Sequence, residues 1–279
     1  MLLWWTTSSI IAISLAFLLL FRNSLPFAWT IRMMAPFWRL RFRDFRSRYL
    51  RRSDSNQKQR IPSAQGCDPF EDQFTVKRRA TLDECDFMGH LSNSAYPKNL
   101  DLARMQYSVN RLADFILDGG WVALGSTSFI FHNEIPILAK YKIVSRIESW
   151  DDKWLFLRNE FRGKNRKGEN ILYCTSITKH CFKFGRKTIP PWFVLAYCGY
   201  SSTSEATLIK TNATRSRELR HSLQDDAGKK TVNPLQAFQK ITPASIHKAP
   251  SWCSPDVWDV AGWDHQRKAR LSGLTEYFF

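Results

Sequence analysis

One short stretch of the sequence places a carboxylate just before a predicted helix. Asp86 supplies the carboxylate, and Ser92 and Asn93, two good N-caps, mark the start of the helix. A carboxylate can act as a general base or as a nucleophile, and the unpaired N–H groups of a helix N-terminus can polarise a carbonyl oxygen. An Asp and an Asn before a helix are more often caps and turn formers, so chemistry must be weighed against that simpler role.

The elements around this stretch follow the order strand, helix and four strands, beginning with an alternating strand at 74–81. Apolar residues on one helical face, from Leu100 onward, predict a helix that ends at Gly119 and Gly120. The period then changes to two, which is typical of strands. These strands are predicted at 121–133, 140–150, 153–162 and 170–184. We therefore expect an α+β fold in which an antiparallel sheet wraps around one long helix.

The stretch before and within the helix also carries a motif. From Asp86 to Arg104 the sequence reads DFMGHLSNSAYPKNLDLAR. It resembles the signature of hotdog-fold enzymes related to 4-hydroxybenzoyl-CoA thioesterase, with Ser92 where many members carry an asparagine. The matching positions are Asp86, Gly89, His90, Asn93, Tyr96, Asp101 and Arg104.

The resemblance is closer to the membrane-anchored proteins grouped as thioesterase superfamily member 6 and to their fungal relatives. These share an N-terminal hydrophobic anchor and a hairpin that matches Ser149-Trp150-Asp151-Asp152. The similarity covers about 70–200 and leaves the C-terminal tail outside.

The resemblance implies a five-stranded hotdog sheet that forms a homodimer edge to edge, with two active sites at the dimer interface. It implies that Asp86 is the catalytic base or nucleophile and that N–H groups near Asn93 and Ser94 face a thioester oxygen. Asn93 and His90 are expected to complete the catalytic group by holding the loop and lining the pocket, with His90 as a general acid as the alternative. The residues expected to bind the substrate are Gly89, Ser94 and Tyr96.

Acyl-CoA or a related acyl thioester is therefore the expected substrate, hydrolysed without a cofactor. The rival interpretation is an acyl- or lipid-binding hotdog protein without catalysis, because one fold hosts several functions. A dehydratase is a weaker alternative, since no matching pair of an acid and a histidine is found. Cys85 lacks a partner at a recognisable spacing, so we interpret it as a small packing residue.

The N-terminus predicts a membrane anchor. Residues 2–21 contain no charge, glycine or proline, and a helix of this length spans about 30 Å, the hydrocarbon thickness of a bilayer. Basic residues follow this segment instead of preceding it, which argues against a cleaved signal peptide. The segment is apolar on every face, which argues against a mitochondrial presequence. The terminal position of the segment and the block of arginines that follows it favour an anchor over a buried core helix.

The positive charge is concentrated directly after this anchor. Of the net charge of +16, residues 22–60 contribute eleven basic side chains against two acidic ones. The positive-inside rule places the domain that follows in the cytosol, with the endoplasmic reticulum as the expected membrane and a mitochondrial membrane as the alternative. Aromatic residues interleaved with the arginines favour a segment at an anionic headgroup surface over a nucleic-acid partner. These aromatic residues are Trp29, Phe37, Trp38, Phe42, Phe45 and Tyr49.

The remaining composition favours a reduced cytosolic domain without a metal. The six cysteines include no C-x-x-C pair, and the six histidines form no metal-binding motif. The predicted organisation is an anchor at 1–21, a basic juxtamembrane segment and linker at 22–66, and the hotdog domain at 67–200. A polar insertion, expected to be a loop or disordered, follows at 201–233, and a tail with a last helix near 255–274 ends the chain at 234–279.

Overall fold

A computed structural model describes residues 2–50, 64, 66–165, 167–202, 212–223, 233–240 and 249–274. The centre of the fold is an antiparallel sheet with the strand order β1-β3-β4-β5-β2, on which a short sixth strand, β6, pairs with β5. The strands are β1 (Gln73–Arg79), β2 (Trp121–Phe131), β3 (Lys140–Trp150), β4 (Trp154–Lys164), β5 (Asn170–Phe184) and β6 (Lys187–Ile189). The predicted α+β, hotdog-like sheet is confirmed, with one short strand more than expected.

One face of this sheet packs against α3 (Ala95–Arg111), which is followed by α4 (Ala113–Leu117). Leu100 on α3 lies in one apolar cluster with Ile143 of β3 and Phe161 of β4, and all three side chains are buried. Sequence predicted a single helix here, but the structure divides it at Leu112, whose backbone leaves the helical region. The apolar face of α3 is what holds it against the strands.

The hairpin between β3 and β4 is stabilised by Asp151. Its Oδ1 accepts hydrogen bonds from the backbone N–H of Lys153 at 2.7 Å and of Trp154 at 2.6 Å. A carboxylate that accepts hydrogen bonds from the backbone N–H groups two and three residues ahead stabilises a tight turn. The sequence predicted such a turn at Asp151-Asp152.

Two helices precede the sheet: α1 (Leu2–Leu20) and α2 (Ala28–Leu50). Among the described residues, no helix combines the length and hydropathy that crossing a membrane requires. The transmembrane anchor therefore stays a prediction. Within the segment 22–66, predicted as a juxtamembrane stretch and linker, α2 is helical and its Leu40 is buried in the core of the domain. Residues 51–63 and 65, which include most of the predicted linker, lie outside the described residues.

In the described residues after the sheet, the α-helices are α5 (Pro191–Tyr197), α6 (Asn212–Ser222), α7 (Pro234–Lys240) and α8 (Asp264–Ser272). The expectation of a loop or disorder at 201–233 is wrong for α6. Arg220 of α6 is buried, lies 2.9 Å from Asp114 Oδ1 of α4 and stacks on the ring of Tyr197 at 4.6 Å. This tertiary ion pair stabilises a helix that its own polar composition does not predict. The stretches 203–211 and 224–232 lie outside the described residues.

The predicted last helix is present as α8 and docks on the domain. Ser149 Oγ donates a hydrogen bond to the carbonyl of Arg267 at 2.7 Å, and Arg267 Nη1 donates to the carbonyl of Trp150 at 3.0 Å. Trp150 also packs edge to face against Trp263, with ring centroids 5.6 Å apart. The C-terminal segment thus covers the end of β3.

Candidate active site

Asp86 lies in a tight turn between β1 and α3. Its backbone N–H donates to the carbonyl of His90 at 3.0 Å, and Gly89 N–H donates to the carbonyl of Asp86 at 3.1 Å. The side chain is held by the backbone N–H of Met88, which donates to Asp86 Oδ1 at 3.0 Å. Gly89 has φ of +81°, a conformation that glycine adopts without strain. The turn therefore holds Oδ1 of the Asp86 carboxylate and makes no hydrogen bond to Oδ2.

The turn is attached to the chain segment between β2 and β3. Leu91 N–H donates to the carbonyl of Ile135 at 2.8 Å, and Ile137 N–H donates to the carbonyl of Gly89 at 2.9 Å. These backbone hydrogen bonds on both sides of His90 tie the loop that carries Asp86 and His90 to the neighbouring segment. Supporting hydrogen bonds of this kind help to keep a functional side chain in place.

His90 lies between two carboxylates. Its Nδ1 is 3.4 Å from Asp86 Oδ2, and its Nε2 is 3.4 Å from Glu134 Oε1. These distances exceed the usual 2.9–3.0 Å of a strong N–H···O hydrogen bond, so each contact is weak in this state. The imidazole can nevertheless orient Asp86, since it faces the carboxylate oxygen that the turn leaves unbound.

Asp86 and the N-terminus of α3 share one cavity of about 230 Å³. The lining residues are Asp83, Glu84, Cys85, Asp86, Ser92, Ser94, Ala95 and Lys98. Asn93 and Ser94 directly precede α3, and Ser94 lines the cavity whereas Asn93 does not. Within the described part of the chain, the backbone N–H groups of both residues have no hydrogen-bond acceptor. Because N–H groups at a helix N-terminus carry partial positive charge, the Ser94 side of the cavity suits a developing oxyanion.

Other groups in the cavity wall have distinct environments. Glu84 is buried, and its Oε1 lies 3.7 Å from Arg78 Nη2. Burial raises the pKa of the Cys85 thiol, and the neighbouring acids Glu84 and Asp86 raise it further. A thiol with a raised pKa stays protonated near neutral pH and is a poor nucleophile. This environment agrees with the packing role predicted for Cys85.

The chain segment between α1 and α2 reaches the wall of this cavity. Asn23 N–H donates to Asp83 Oδ2 at 2.7 Å, and Asn23 Nδ2 donates to Thr81 Oγ1 at 2.6 Å. Lys98 Nζ donates to the carbonyl of Asn23 at 3.3 Å. Asn23 is itself buried, and Arg32 of α2 donates to its side-chain oxygen. We call this set of contacts the Asn23 clasp.

The structure brings together most of the residues that the sequence singled out. Asp86 and His90 are paired, Ser94 lines the cavity, and Asn93 is exposed at the helix start. Tyr96 lies apart from them, because its side chain is only 2% exposed and packs edge to face on Phe131. Burial raises its pKa above the ordinary value. Tyr96 therefore packs in the core and is not among the residues that line the cavity with Asp86.

Three residues near the site were not predicted. Lys98 follows Ser94 by one helical turn, so helical spacing could have placed it on the same face. Glu134 and Asn23 lie far from Asp86 in sequence, and no local pattern indicates that they approach it. In the described ranges, no three His, Cys, Asp or Glu side chains are grouped as metal ligands.

Residues 80–195 match the family described as the thioesterase-like superfamily. A probable thioesterase of Saccharomyces cerevisiae is 35% identical over 132 residues, which are 46% of this chain and 56% of that protein. The thioesterase poxG of Penicillium oxalicum is 33% identical over 185 residues, 52% of this chain and 61% of that protein.

A shorter match is found to the protein THEM6 of Drosophila melanogaster, 33% identical over 93 residues, which are 32% of this chain and 48% of that protein. In each of these three comparisons the chain spans less than two thirds of the relative's own length.

Among solved structures, a 4-hydroxybenzoyl-CoA thioesterase mutant in complex with 4-hydroxybenzoyl-CoA aligns with a TM-score of 0.39 and 16% identity, over 43% of this chain and 92% of that chain. A 1,4-dihydroxy-2-naphthoyl-CoA thioesterase from Synechocystis aligns with a TM-score of 0.38 and 16% identity, over 46% of this chain and 96% of that chain.

Proposed function

We propose, from the premise that residues 80–195 form a domain of the thioesterase-like superfamily, that this chain hydrolyses acyl thioesters of the acyl-CoA class. One observation carries the proposal: Asp86 lines the same cavity as Ser94 and Ala95 at the start of α3. Thioester hydrolysis needs a group that activates water and a donor for the oxyanion, and this cavity offers both.

In the proposed reaction, Asp86 accepts a proton from a water molecule as that water attacks the thioester carbonyl carbon. The carbonyl oxygen gains negative charge and is stabilised by the N–H groups of Asn93 and Ser94. The tetrahedral intermediate then expels the thiolate, which takes up the proton held by Asp86. The products are a carboxylic acid and a free thiol, so atoms and charge balance. Attack by Asp86 itself, through an anhydride that water then hydrolyses, yields the same products.

His90 is proposed to position Asp86 and not to transfer the proton. Its Nδ1 faces Asp86 Oδ2, while the turn already occupies Oδ1 through Met88 N–H. Phe87 and Met88 follow Asp86 in the turn, and both are exposed apolar side chains, Phe87 at 98%. We propose that these two side chains contact the acyl group.

The experiment for this function is thiol release from acyl-CoA by the purified full-length chain, across a series of acyl lengths. We expect release above the uncatalysed rate for at least one length class. Binding of acyl-CoA without release would identify a binding protein and would remove the hydrolase.

A homodimer is proposed from the free edge of the sheet. β2 is an edge strand of 11 residues, and exposed edge strands promote pairing with another chain unless they are protected. Its outer positions include large exposed apolar side chains, namely Trp121, Leu124, Ile130 and Phe131. Arg104 of α3 donates to Thr127 Oγ1 of β2 at 3.2 Å and pairs with Asp101. The helix of the candidate site thus lies close to the proposed dimer edge.

Membrane attachment is also proposed, through a single pass by residues 2–21 with the rest of the chain in the cytosol. The structure makes Leu2–Leu20 helical, and the residues of this helix carry no charge. At a rise of 1.5 Å per residue such a helix is about 30 Å long, which suits a bilayer. Retention in the membrane pellet after alkaline carbonate extraction tests this attachment, and release into the supernatant would exclude it.

A further inference from the structure

The helix α2 has two apolar faces, and only one of them is covered by the domain. Phe37 and Leu40 lie on the covered face, where Leu40 is buried and Phe37 packs against the core cluster. Asp44, one turn further along the same face, is also buried. Arg41 Nη1, next to this face, donates to the carbonyl of Leu117 at 3.5 Å. This side of α2 fixes the helix to the domain.

The second face of α2 is a stripe of large apolar side chains that no other described part of the chain covers. Its members are between 55% and 66% exposed. They are Ile31, Trp38, Phe42, Phe45 and Tyr49. Their spacing of seven, four, three and four residues keeps them on one side of an α-helix. We call these five residues the aromatic stripe of α2.

Exposed arginines border the aromatic stripe. Arg39, Arg43 and Arg46 are exposed, and with about 100° of rotation per residue they lie beside the stripe and not within it. An apolar stripe with aromatic side chains and a cationic border is typical of helices that lie in the headgroup region of an anionic bilayer. Each arginine near such a surface adds electrostatic attraction.

The same arginines argue against a second copy of this helix as the occupant. In an antiparallel pair of aromatic stripes, the Arg39 and Arg46 borders of the two helices lie on the same side of the contact. Like charges in such proximity repel, whereas anionic headgroups neutralise them. Charge complementarity therefore favours a lipid surface over self-association.

The position of α2 in the chain supports the same occupant. Helix α1 ends at Leu20, and α2 begins at Ala28 after a short connection in which Phe21 and Phe27 are exposed. Seven connecting residues span at most about 25 Å. If α1 crosses the bilayer, α2 starts within reach of its surface.

We propose that the aromatic stripe of α2 is a second membrane-contact surface, which binds the headgroup region of an anionic bilayer and fixes the orientation of the domain on it. The inference rests on the membrane attachment proposed above and is independent of hydrolysis. The covered face of α2 holds the domain, and the Asn23 clasp joins the start of α2 to Asp83 in the cavity wall. The cavity is thereby held at a fixed distance from the lipid, where substrates with long acyl chains accumulate.

The test is photo-crosslinking of the full-length chain in vesicles of phosphatidylcholine and phosphatidylserine. A benzophenone amino acid replaces Phe42 in one variant and Ser47 in the matched control, which lies on the same helix about 140° away, outside both the stripe and its cationic border. We expect lipid adducts at position 42 and at least fivefold fewer at position 47. Crosslinks from position 42 to a second copy of the chain, or equal lipid adducts at both positions, would overturn the proposal.

A third position separates this inference from the anchor. A benzophenone at Ile13, an exposed residue of α1, reports whether α1 is in the bilayer. Adducts at positions 13 and 42 support both proposals, whereas adducts at 13 without adducts at 42 refute only the aromatic stripe. Replacing phosphatidylserine with phosphatidylcholine is expected to lower the yield at 42 severalfold and to leave the yield at 13 unchanged.

Discussion

His90 Nδ1 lies 3.4 Å from Asp86 Oδ2, on the side of the carboxylate that the turn does not bind. The backbone N–H of Met88 holds the other oxygen at 3.0 Å. This arrangement lets the imidazole orient Asp86, which lines the cavity. In the proposed reaction only Asp86 exchanges a proton with the reacting water, so His90 is assigned the orienting role.

His90→Ala is therefore expected to lower kcat for acyl-CoA hydrolysis about tenfold, which corresponds to about 1.4 kcal/mol for one weak orienting contact. KM should change little, because the imidazole is not proposed to hold the substrate. Steady-state thiol release measures both constants. If this variant loses as much activity as one without the Asp86 carboxylate, His90 transfers a proton and the positioning role is wrong.

The free edge of β2 predicts the effect of a charge placed on it. Ile130→Lys puts an ammonium group on an exposed apolar position of this strand, and lysine on an edge strand disfavours pairing with another sheet. Sedimentation of the full-length chain in detergent should change from dimer to monomer, and thiol release should fall with it. Val257→Lys is the matched control, since Val257 is an exposed apolar residue away from the sheet edge. A dimer that persists in Ile130→Lys would exclude this edge as the interface.

His180 predicts how stability depends on pH. Burial, with the nearby Arg104 adding to it, lowers the pKa of His180 to about 3. The unfolded chain protonates this histidine below about pH 6.5 while the folded chain does not, so stability falls as the pH drops from about 6.5 towards 3. The slope contributed is up to about 1.4 kcal/mol per pH unit.

Urea unfolding followed by tryptophan fluorescence at several pH values measures this contribution. His180→Asn cannot take up the proton, so its free energy of unfolding should fall less steeply between about pH 6 and 4. His265→Asn, at an exposed histidine, should keep the slope of the parent. An unchanged slope in His180→Asn would show that His180 does not remain neutral in the folded chain.

The sequence predicted the elements that depend on local pattern. The change of period after Gly120 predicted the strands, and Asp151 predicted the hairpin, because these signals lie within a few residues of the structure they specify. Helix α6 was missed because its stability comes from Arg220 and Asp114, which lie on separate elements. The motif predicted Asp86 and Ser94 at the site, whereas Glu134 and Asn23 reach it only through tertiary folding.

Helix α2 illustrates the same limit. Its aromatic and basic composition indicated a surface segment, but the sequence did not separate Phe37, which packs on the domain, from Trp38, which is exposed. Neighbouring residues on a helix point about 100° apart, so only the docked helix decides which aromatic side chains remain outside.

The most direct measurement is the rate of thiol release from acyl-CoA by Asp86→Asn beside the parent chain. The amide keeps the size of the side chain and cannot accept the proton of water, so the rate should fall at least ~100-fold, while Asp152→Asn at an exposed acid of the hairpin keeps the parent rate. An Asp86→Asn chain as active as the parent would contradict the proposed role of this carboxylate.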